Sequence, residues 1–354
     1  DPRSGRGEPS EGARIVRVLT RRRMGAVLLG LGALLAFAVA LGLAVGPSAL
    51  SVAEVWNALA GEAEAATADI VLRVRLPRVV LAALVGASLA VAGTLFQALL
   101  RNPLADPYIL GVSGGAALGG ICMLALGGAL GLGYAAVPPA AFAGAILTIL
   151  LLFAVSGGAG RLSPTTLLLT GVVFNAFASA AIVFLASIAG LVEGAGIFLW
   201  LIGNLSDARF EVAGWVAAFL ALGLACALPL ARGLNLMALG EEPAAQLGIE
   251  VEWVKRVLLG ATSLMVGAAV SVSGLIGFVG LIIPHLLRLL FGPDHRLLVP
   301  ASALGGAAFL VLCDTAARTL LVGRELPVGA ITAMAGGPLF LILLRRHHGR
   351  ALAR

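Results

Sequence analysis

Apolar runs of about twenty residues, each closed by a short polar turn, recur from Met24 to Leu344 and limit the possible folds more than any other feature. About twenty apolar helical residues cross the roughly 30 Å hydrocarbon core of a bilayer. The stretch from Arg75 to Gly119 shows the pattern. Arg75 and Arg78 flank a proline, an apolar run follows, Arg101-Asn102-Pro103 makes a polar turn, and a second glycine-rich run begins. Only 12% of the 354 residues are charged, where a soluble domain carries about 25%. The chain therefore cannot cover a surface in water, and lipid must be its main solvent. Its 47 glycines suit helices that approach closely, since packing drives helix association in lipid. The runs are too long, and too little alternating, for a transmembrane β-barrel.

These runs predict an all-α polytopic membrane protein with about ten spans: 24–46, 76–100, 109–130, 137–155, 166–189, 212–231, 257–272, 276–291, 297–313 and 328–344. The eighth is short and is expected to be interrupted at Pro284. Residues 52–60 and 194–206 are expected to form short helices at the membrane interface. Residues 1–23, with Arg14, Arg17, Arg21, Arg22 and Arg23, read as a disordered basic tail, 24–346 as one transmembrane domain and 347–354 as a second tail. A cleaved signal peptide is disfavoured, because the first run is long enough to span and no small-residue cleavage site ends it. Ten spans place both termini on one side. The positive-inside rule makes that side cytoplasmic, because Arg101, Arg161, Arg232, Lys255, Arg256 and Arg296 fall there with the terminal arginines. The net charge of +6 is thereby accounted for without nucleic acid as a partner. Arg73, Arg75, Arg78, Arg318 and Arg324 fall on the opposite side and break the rule, which marks them for a specific task.

An internal repeat is also legible. Val85 to Leu95 (VGASLAVAGTL) aligns without gaps on Val266 to Ile276 (VGAAVSVSGLI). The two segments lie in spans 2 and 7, which cross in opposite directions, so spans 2–5 and 7–10 are expected to form an inverted repeat of the kind transporters use.

Ionisable groups are scarce within the spans. Arg288 and Asp314 lie near span ends, and Gln97 and Asn175 are the main polar groups near the middles. That weighs against an enzyme and against ion coupling, which needs charges retained at mid-membrane, although an ion-coupled secondary transporter of a small hydrophilic substrate stays the alternative. His285, beside Pro284, reads as a helix-end residue rather than a haem or metal ligand. Cys122, Cys226 and Cys313 show no metal or disulfide spacing. No phosphate-binding Gly-x-x-x-x-Gly-Lys-Ser/Thr loop is present, and the single lysine, Lys255, sits in Val-Glu-Trp-Val-Lys. The chain has no ATPase site of its own. The segment 232–255 offers a way to receive work from a partner. It reads as two short helices around Gly240 and Gly248, begun at Glu241-Glu242-Pro243, with apolar faces (Leu236, Met237, Leu239, Leu247) that a free loop would not need.

These motifs together resemble the permease subunits of type II ABC importers, the FecCD/BtuC-like family that takes up ferric siderophores, haem and cobalamin. The resemblance rests on Arg75-Leu-Pro-Arg78, Gln97 through Arg101-Asn-Pro-Leu-Ala-Asp-Pro107, Leu110-Gly-Val-Ser-Gly-Gly115, Ala238-Leu-Gly240 with Ala245-Gln-Leu-Gly248, Gly277 through Pro284-His285 with Arg288, Asp294-His-Arg296, Asp314 with Arg318, and Glu325-Leu-Pro-Val-Gly329. It implies ten helices per subunit and a homodimer with its pathway on the two-fold axis. It also implies two cytoplasmic ATPase subunits, which hold ATP and Mg, and a periplasmic binding protein, all at a bacterial inner membrane. This chain would hold no cofactor or metal. Carried over by position, Ala238, Leu239, Gly240, Glu241, Glu242, Pro243, Gln246, Leu247 and Gly248, within coupling helices at 236–252, would seat on the ATPase. Arg75, Arg78 and Arg318 would dock the binding protein. Asn102 and Leu104, with Ser163, Pro164 and Thr165, would form the cytoplasmic gate, Pro164 standing where a small hydroxyl residue is expected. A cavity between the two subunits would be lined by spans 5, 8 and 10 and the 194–206 helix. The residues do not choose among the three substrate classes.

Overall fold

Helices and helical turns account for all regular structure among the described residues of the computed structural model, which are 19–48, 50–127, 131–156, 162–189, 200–321 and 324–352. Residues 1–18 of the expected tail, 194–199 of the expected interfacial helix, and Arg161 lie outside them. Arg21, Arg22 and Arg23 are not tail: helix α1 (Arg21–Ala44) starts there, because the Thr20 side chain accepts from the Arg23 N–H and caps it. The further helices are α2 (Val52–Ala60), α3 (Ala65–Ala68), α4 (Leu76–Leu99), α5 (Val112–Leu126), α6 (Val137–Ser156), α7 (Pro164–Ile188), α8 (Phe210–Met237), α9 (Glu241–Gln246), α10 (Val251–Ser273), α11 (Val279–Phe291), α12 (His295–Thr319) and α13 (Val328–Leu352). Among the described residues, seven helical stretches are long and apolar enough to cross a membrane, and α5, α11 and α13 supply three shorter apolar ones. The ten expected spans are thus all present as helices. The helix expected at 52–60 is present as α2, opened by a Ser51–Glu54 capping box, with Val52 and Trp56 turned outward and Val55 and Ala58 packed inward.

Contacts at the helix ends order the bundle. At one end, here the upper, the α1 carbonyls of Leu43 and Ala44 meet Arg75 at the head of α4, and Arg78 meets Asp314 near the end of α12. At the lower end, Arg23 of α1 reaches the Phe291 carbonyl of α11, and Asn235 of α8 reaches Asp294 before α12. Arg101, after α4, and Lys255, early in α10, both pair with Glu241 at the lower end. Helices α4 and α10 therefore run in opposite directions, as an inverted repeat requires. Helix α1 starts at the same end at which α13 finishes.

The repeat's matched glycines do different work. A Cβ on Gly93 would strike the Gly280 carbonyl, and one on Gly86 the Gly306 carbonyl, so α4 lies backbone to backbone against α11 and α12. Its apolar window is 83% buried, against 17% for α7. Gly274, the counterpart of Gly93, instead ends α10 at φ +67°.

Two further sequence expectations need correction. The helix does not break at Pro284; the break precedes α11, at 274–278, with Phe278 at φ +70°. Pro284 cannot donate to the Gly280 carbonyl four residues back. The buried Gln97 amide of α4 donates to the Gly280 and Leu281 carbonyls instead, at 3.4 and 3.2 Å. His285 consequently lies inside α11, buried, and not at a helix end. Second, the helix containing α4 begins eleven residues early, at Ala65, through a π-helical turn over Asp69–Arg75. Pro77 again lacks the N–H that a regular turn would use.

The irregular 274–278 backbone is held by the 3₁₀ turn Pro107–Leu110. The Tyr108 hydroxyl donates to the Ile276 carbonyl and accepts from the Ile276 N–H, both at 2.7 Å, while Asn175 of α7 donates to the Tyr108 carbonyl. Non-helical backbone inside such a bundle requires internal partners of this kind. Asp106 caps the turn by accepting from the Tyr108 N–H at 2.9 Å, and burial pushes its carboxyl up to about 6.

Gly93→Ala is expected to lower stability by about 1–3 kcal/mol through overpacking, while Gly32→Ala, with nothing within 4 Å, leaves it unchanged or raises it; thermal unfolding in detergent compares them. Asp106 has a raised folded pKa, so its ionisation costs stability as pH rises through about 6. Asp106→Asn keeps a good cap, and should raise the unfolding temperature at pH 7 and flatten its rise between pH 7 and 5.

Candidate functional site

Two polar clusters occupy the two ends. At the upper end, Asp314 is 1% exposed and lies between two guanidinium groups. Arg78 Nε reaches its carboxylate at 3.0 and 3.2 Å, and Arg318 Nε approaches Oδ2 at 3.0 Å. Arg78 Nη1 also holds Glu325, on the loop before α13, at 2.8 Å, and the Ser206 hydroxyl donates to the same Glu325 oxygen. Burial works against the Glu325 carboxylate, but the hydrogen bond and charge of Arg78, with Ser206 and Arg318, outweigh it and hold its pKa below the ordinary value. Arg75 spends its guanidinium on the Leu43, Ala44 and Ser48 carbonyls, and Arg318 also reaches the Gly42 carbonyl.

The three arginines expected to dock a partner are thus brought together, but turned inward. Each is less than a tenth exposed; this chain supplies acids to Arg78 and Arg318 and backbone carbonyls to Arg75. The i,i+4 spacing of Asp314 and Arg318 was the available signal, since those positions share a helix face. Among the described residues, the solvent-facing charges at this end are Arg73, Arg209 and Arg324 with the acids Glu54, Glu62, Glu64, Asp69, Asp207, Glu211 and the half-exposed Glu325.

At the lower end the expected pair of short helices is one. Helix α8 runs on through Met237, α10 begins at Val251, and α9 alone stands between them, flanked by Gly240 at φ +134° and Gly248 at φ +85°. Those angles favour glycine. Ala238, Leu239, Glu242, Pro243, Gln246, Leu247 and Gly248 are exposed, Gly240 and Glu241 half-buried. Leu239 and Leu247 project on either side of α9, 72% and 62% exposed.

Behind α9 lies the second cluster. Glu241 Oε1 meets Arg101 Nη2 at 2.8 Å and its Oε2 meets Lys255 Nζ at 2.7 Å. Lys255 also holds Glu252 Oε1 at 3.1 Å. The expected gate residues lie around it. Asn102 and Leu104 are exposed in the turn after Arg101, with the Asn102 side chain accepting from the Leu104 N–H. Ser163 caps α7, Pro164 takes its first position, and Thr165 is exposed. Leu100, Leu162, Pro164 and Lys255 line one small void, so the two gate segments are neighbours. Sequence reasoning passed over Lys255 and Glu252, although a single lysine in so apolar a chain was a signal.

A half-open apolar groove of about 650 Å³ lies between α5, α6 and α7, lined by Gly119, Cys122, Gly144, Thr148 and Phe174 among others. It is not the expected cavity, which needs a second subunit. Among the described residues, no group of three His, Cys, Asp or Glu side chains could hold a metal ion.

Residues 34–346 match the FecCD transport family. The chain is 45% identical over 287 residues to the cobalamin import system permease protein BtuC of Halobacterium salinarum, covering 81% of this chain and 76% of that one. It is 43% identical over 335 residues to the hemin transport system permease protein HmuU of Yersinia pestis, covering 90% and 96%. A solved metal-chelate type ABC transporter in an inward-facing conformation superposes with a TM-score of 0.78 at 31% identity, over 91% of this chain and 99% of the other. A family match across most of the bundle, full-length relatives and a shared fold agree: the chain is a member of the FecCD transport family.

Proposed function

We propose that this chain is the membrane permease of an ATP-driven ABC importer that brings a cobalamin, haem or ferric siderophore into the cytoplasm. Family membership and the relatives' names support the importer reading over the ion-coupled carrier. The observation that carries the mechanism is the platform at the lower end: two exposed leucines beside a short helix whose glutamate is tied to both gate segments. Such a surface suits a partner that pushes. In this reading two ATPase subunits, holding ATP and Mg, seat on 238–248, and the lower end is cytoplasmic with both termini. The basic residues there, Arg21, Arg22, Arg101, Arg232, Arg256 and Arg296, support that orientation.

A homodimer is the proposed working unit. Helix α7 exposes Thr165, Leu169, Val172, Ala176, Ser179, Val183 and Ser187 at three- and four-residue spacing. A stripe that sets Thr165, Ala176, Ser179 and Ser187 among Leu169, Val172 and Val183 suits packing against another helix. Substrate would leave a periplasmic binding protein, pass between the two subunits and be released past 102–104 and 163–165. Docking of the binding protein on Arg75, Arg78 and Arg318 carries a condition, because Asp314 and Glu325 already hold two of the three. Glu325, the half-exposed acid, is the contact a docking protein could displace.

Affinity purification of the permease should bring down an ATPase subunit, and Leu239→Glu with Leu247→Glu should cut its yield at least about tenfold, as loss of a buried anchor does. An unchanged yield would remove 238–248 as the contact. Glu325→Gln should strengthen capture of the cognate binding protein by a few-fold, about 1 kcal/mol, and Arg78→Gln should weaken it. Equal affinities for both variants and the parent would contradict docking on this cluster.

A further inference from the structure

Leu162, the residue before the proposed gate segment Ser163-Pro164-Thr165, has both backbone polar groups held by α10. Its N–H donates to Glu252 Oε2 at 2.8 Å, and its carbonyl accepts from Lys255 Nζ at 3.3 Å. Lys255 is 5% exposed, and its ammonium is shared among that carbonyl, Glu252 Oε1 and Glu241 Oε2. Glu241 belongs to α9. Its other oxygen takes Arg101, whose neighbour Asn102 opens the second gate segment. Arg101 stands at φ +48°, a left-handed conformation that a residue with a Cβ adopts only when its surroundings hold it there. The four charges, two acids and two bases, balance.

We propose that Glu241, Lys255 and Glu252 form a charge relay that carries displacement of α9 to both gate segments at once, Lys255 being the positioning residue at its centre. Drawing Glu241 away strips one of two carboxylates from the buried Lys255 ammonium, which is unfavourable. Movement of α9 therefore pulls on its attached segments. One arm runs Glu241–Arg101–Asn102. The other runs Glu241–Lys255–Leu162, with Glu252 holding the Leu162 N–H. The relay rests on the reading of α9 as the ATPase contact.

The test uses the permease with its co-purified ATPase in lipid nanodiscs, with Cys122, Cys226 and Cys313 replaced by alanine and a reporter at Leu104→Cys or Thr165→Cys. A charged maleimide measures the labelling rate with and without ATP, Mg and vanadate. In the parent, nucleotide should change the rate at each reporter by about tenfold. Lys255→Met, with the ATPase still bound, should reduce the change to under about twofold at Thr165→Cys while sparing Leu104→Cys, whose Arg101 arm stays whole, and Lys255→Arg should restore most of the lost change. Glu252→Gln leaves the Arg101 arm whole. It should weaken the Thr165→Cys response and spare Leu104→Cys, a split that general loosening of the fold would not produce. If Lys255→Met fails to assemble, the Glu252→Gln split decides. A parent-like Thr165→Cys response in Lys255→Met, or equal losses at both reporters in Glu252→Gln, overturn the relay. A parent that binds its ATPase yet shows no nucleotide response at either reporter overturns the reading of α9 itself, and the relay with it.

Discussion

The ammonium of Lys255, buried among Glu241, Glu252 and the Leu162 carbonyl, is the interaction on which the lower half of the molecule turns. A buried ion pair adds little net stability, but removing one partner costs several kcal/mol. Its value is therefore geometric: it fixes α9 relative to the ends of α4 and α7 and permits few other arrangements. The glycine-backed contacts of α4 with α11 and α12 make the interior similarly rigid, so displacement at one end is transmitted rather than absorbed.

The upper end uses the same physics with the signs exchanged. Asp314 is enclosed by Arg78 and Arg318, and Arg78 extends to Glu325 on the loop that leads into α13. Each end thus places a buried, paired charge at its centre and one half-exposed glutamate, Glu241 or Glu325, at the rim. A partner on either face meets a glutamate already committed to the interior. In the proposed reading, with a partner on each side, that arrangement would let each partner compete for a contact which also holds the helices.

Span number, the short helix α2 and the opposed directions of α4 and α10 were legible because hydropathy and spacing express them directly. Polar pairing was not. Arg75, Arg78 and Arg318 read as outward charges because they broke a topology rule, yet the fold supplies acids from Asp314 and Glu325, more than 230 residues away in sequence from Arg78. Pro284 read as a break, because nothing local reveals that Gln97 of α4 satisfies the carbonyl it frees. In the 232–255 segment, glycines at 240 and 248 mark turns correctly, but periodicity could not show that α8 and α10 take up both flanks and leave one short helix. These misses share a cause: the deciding partner lies on another helix.

The central claim is that work enters this chain from an ATPase at the lower end and not from an ion gradient through mid-membrane charges. Proteoliposomes holding the complex with its co-purified ATPase, supplied with a loaded binding protein, test it by accumulation of labelled cobalamin, haemin or ferric siderophore. The account predicts uptake of one of these that requires ATP and persists when a protonophore collapses the gradient. Uptake that proceeds without ATP and stops with the gradient would contradict it.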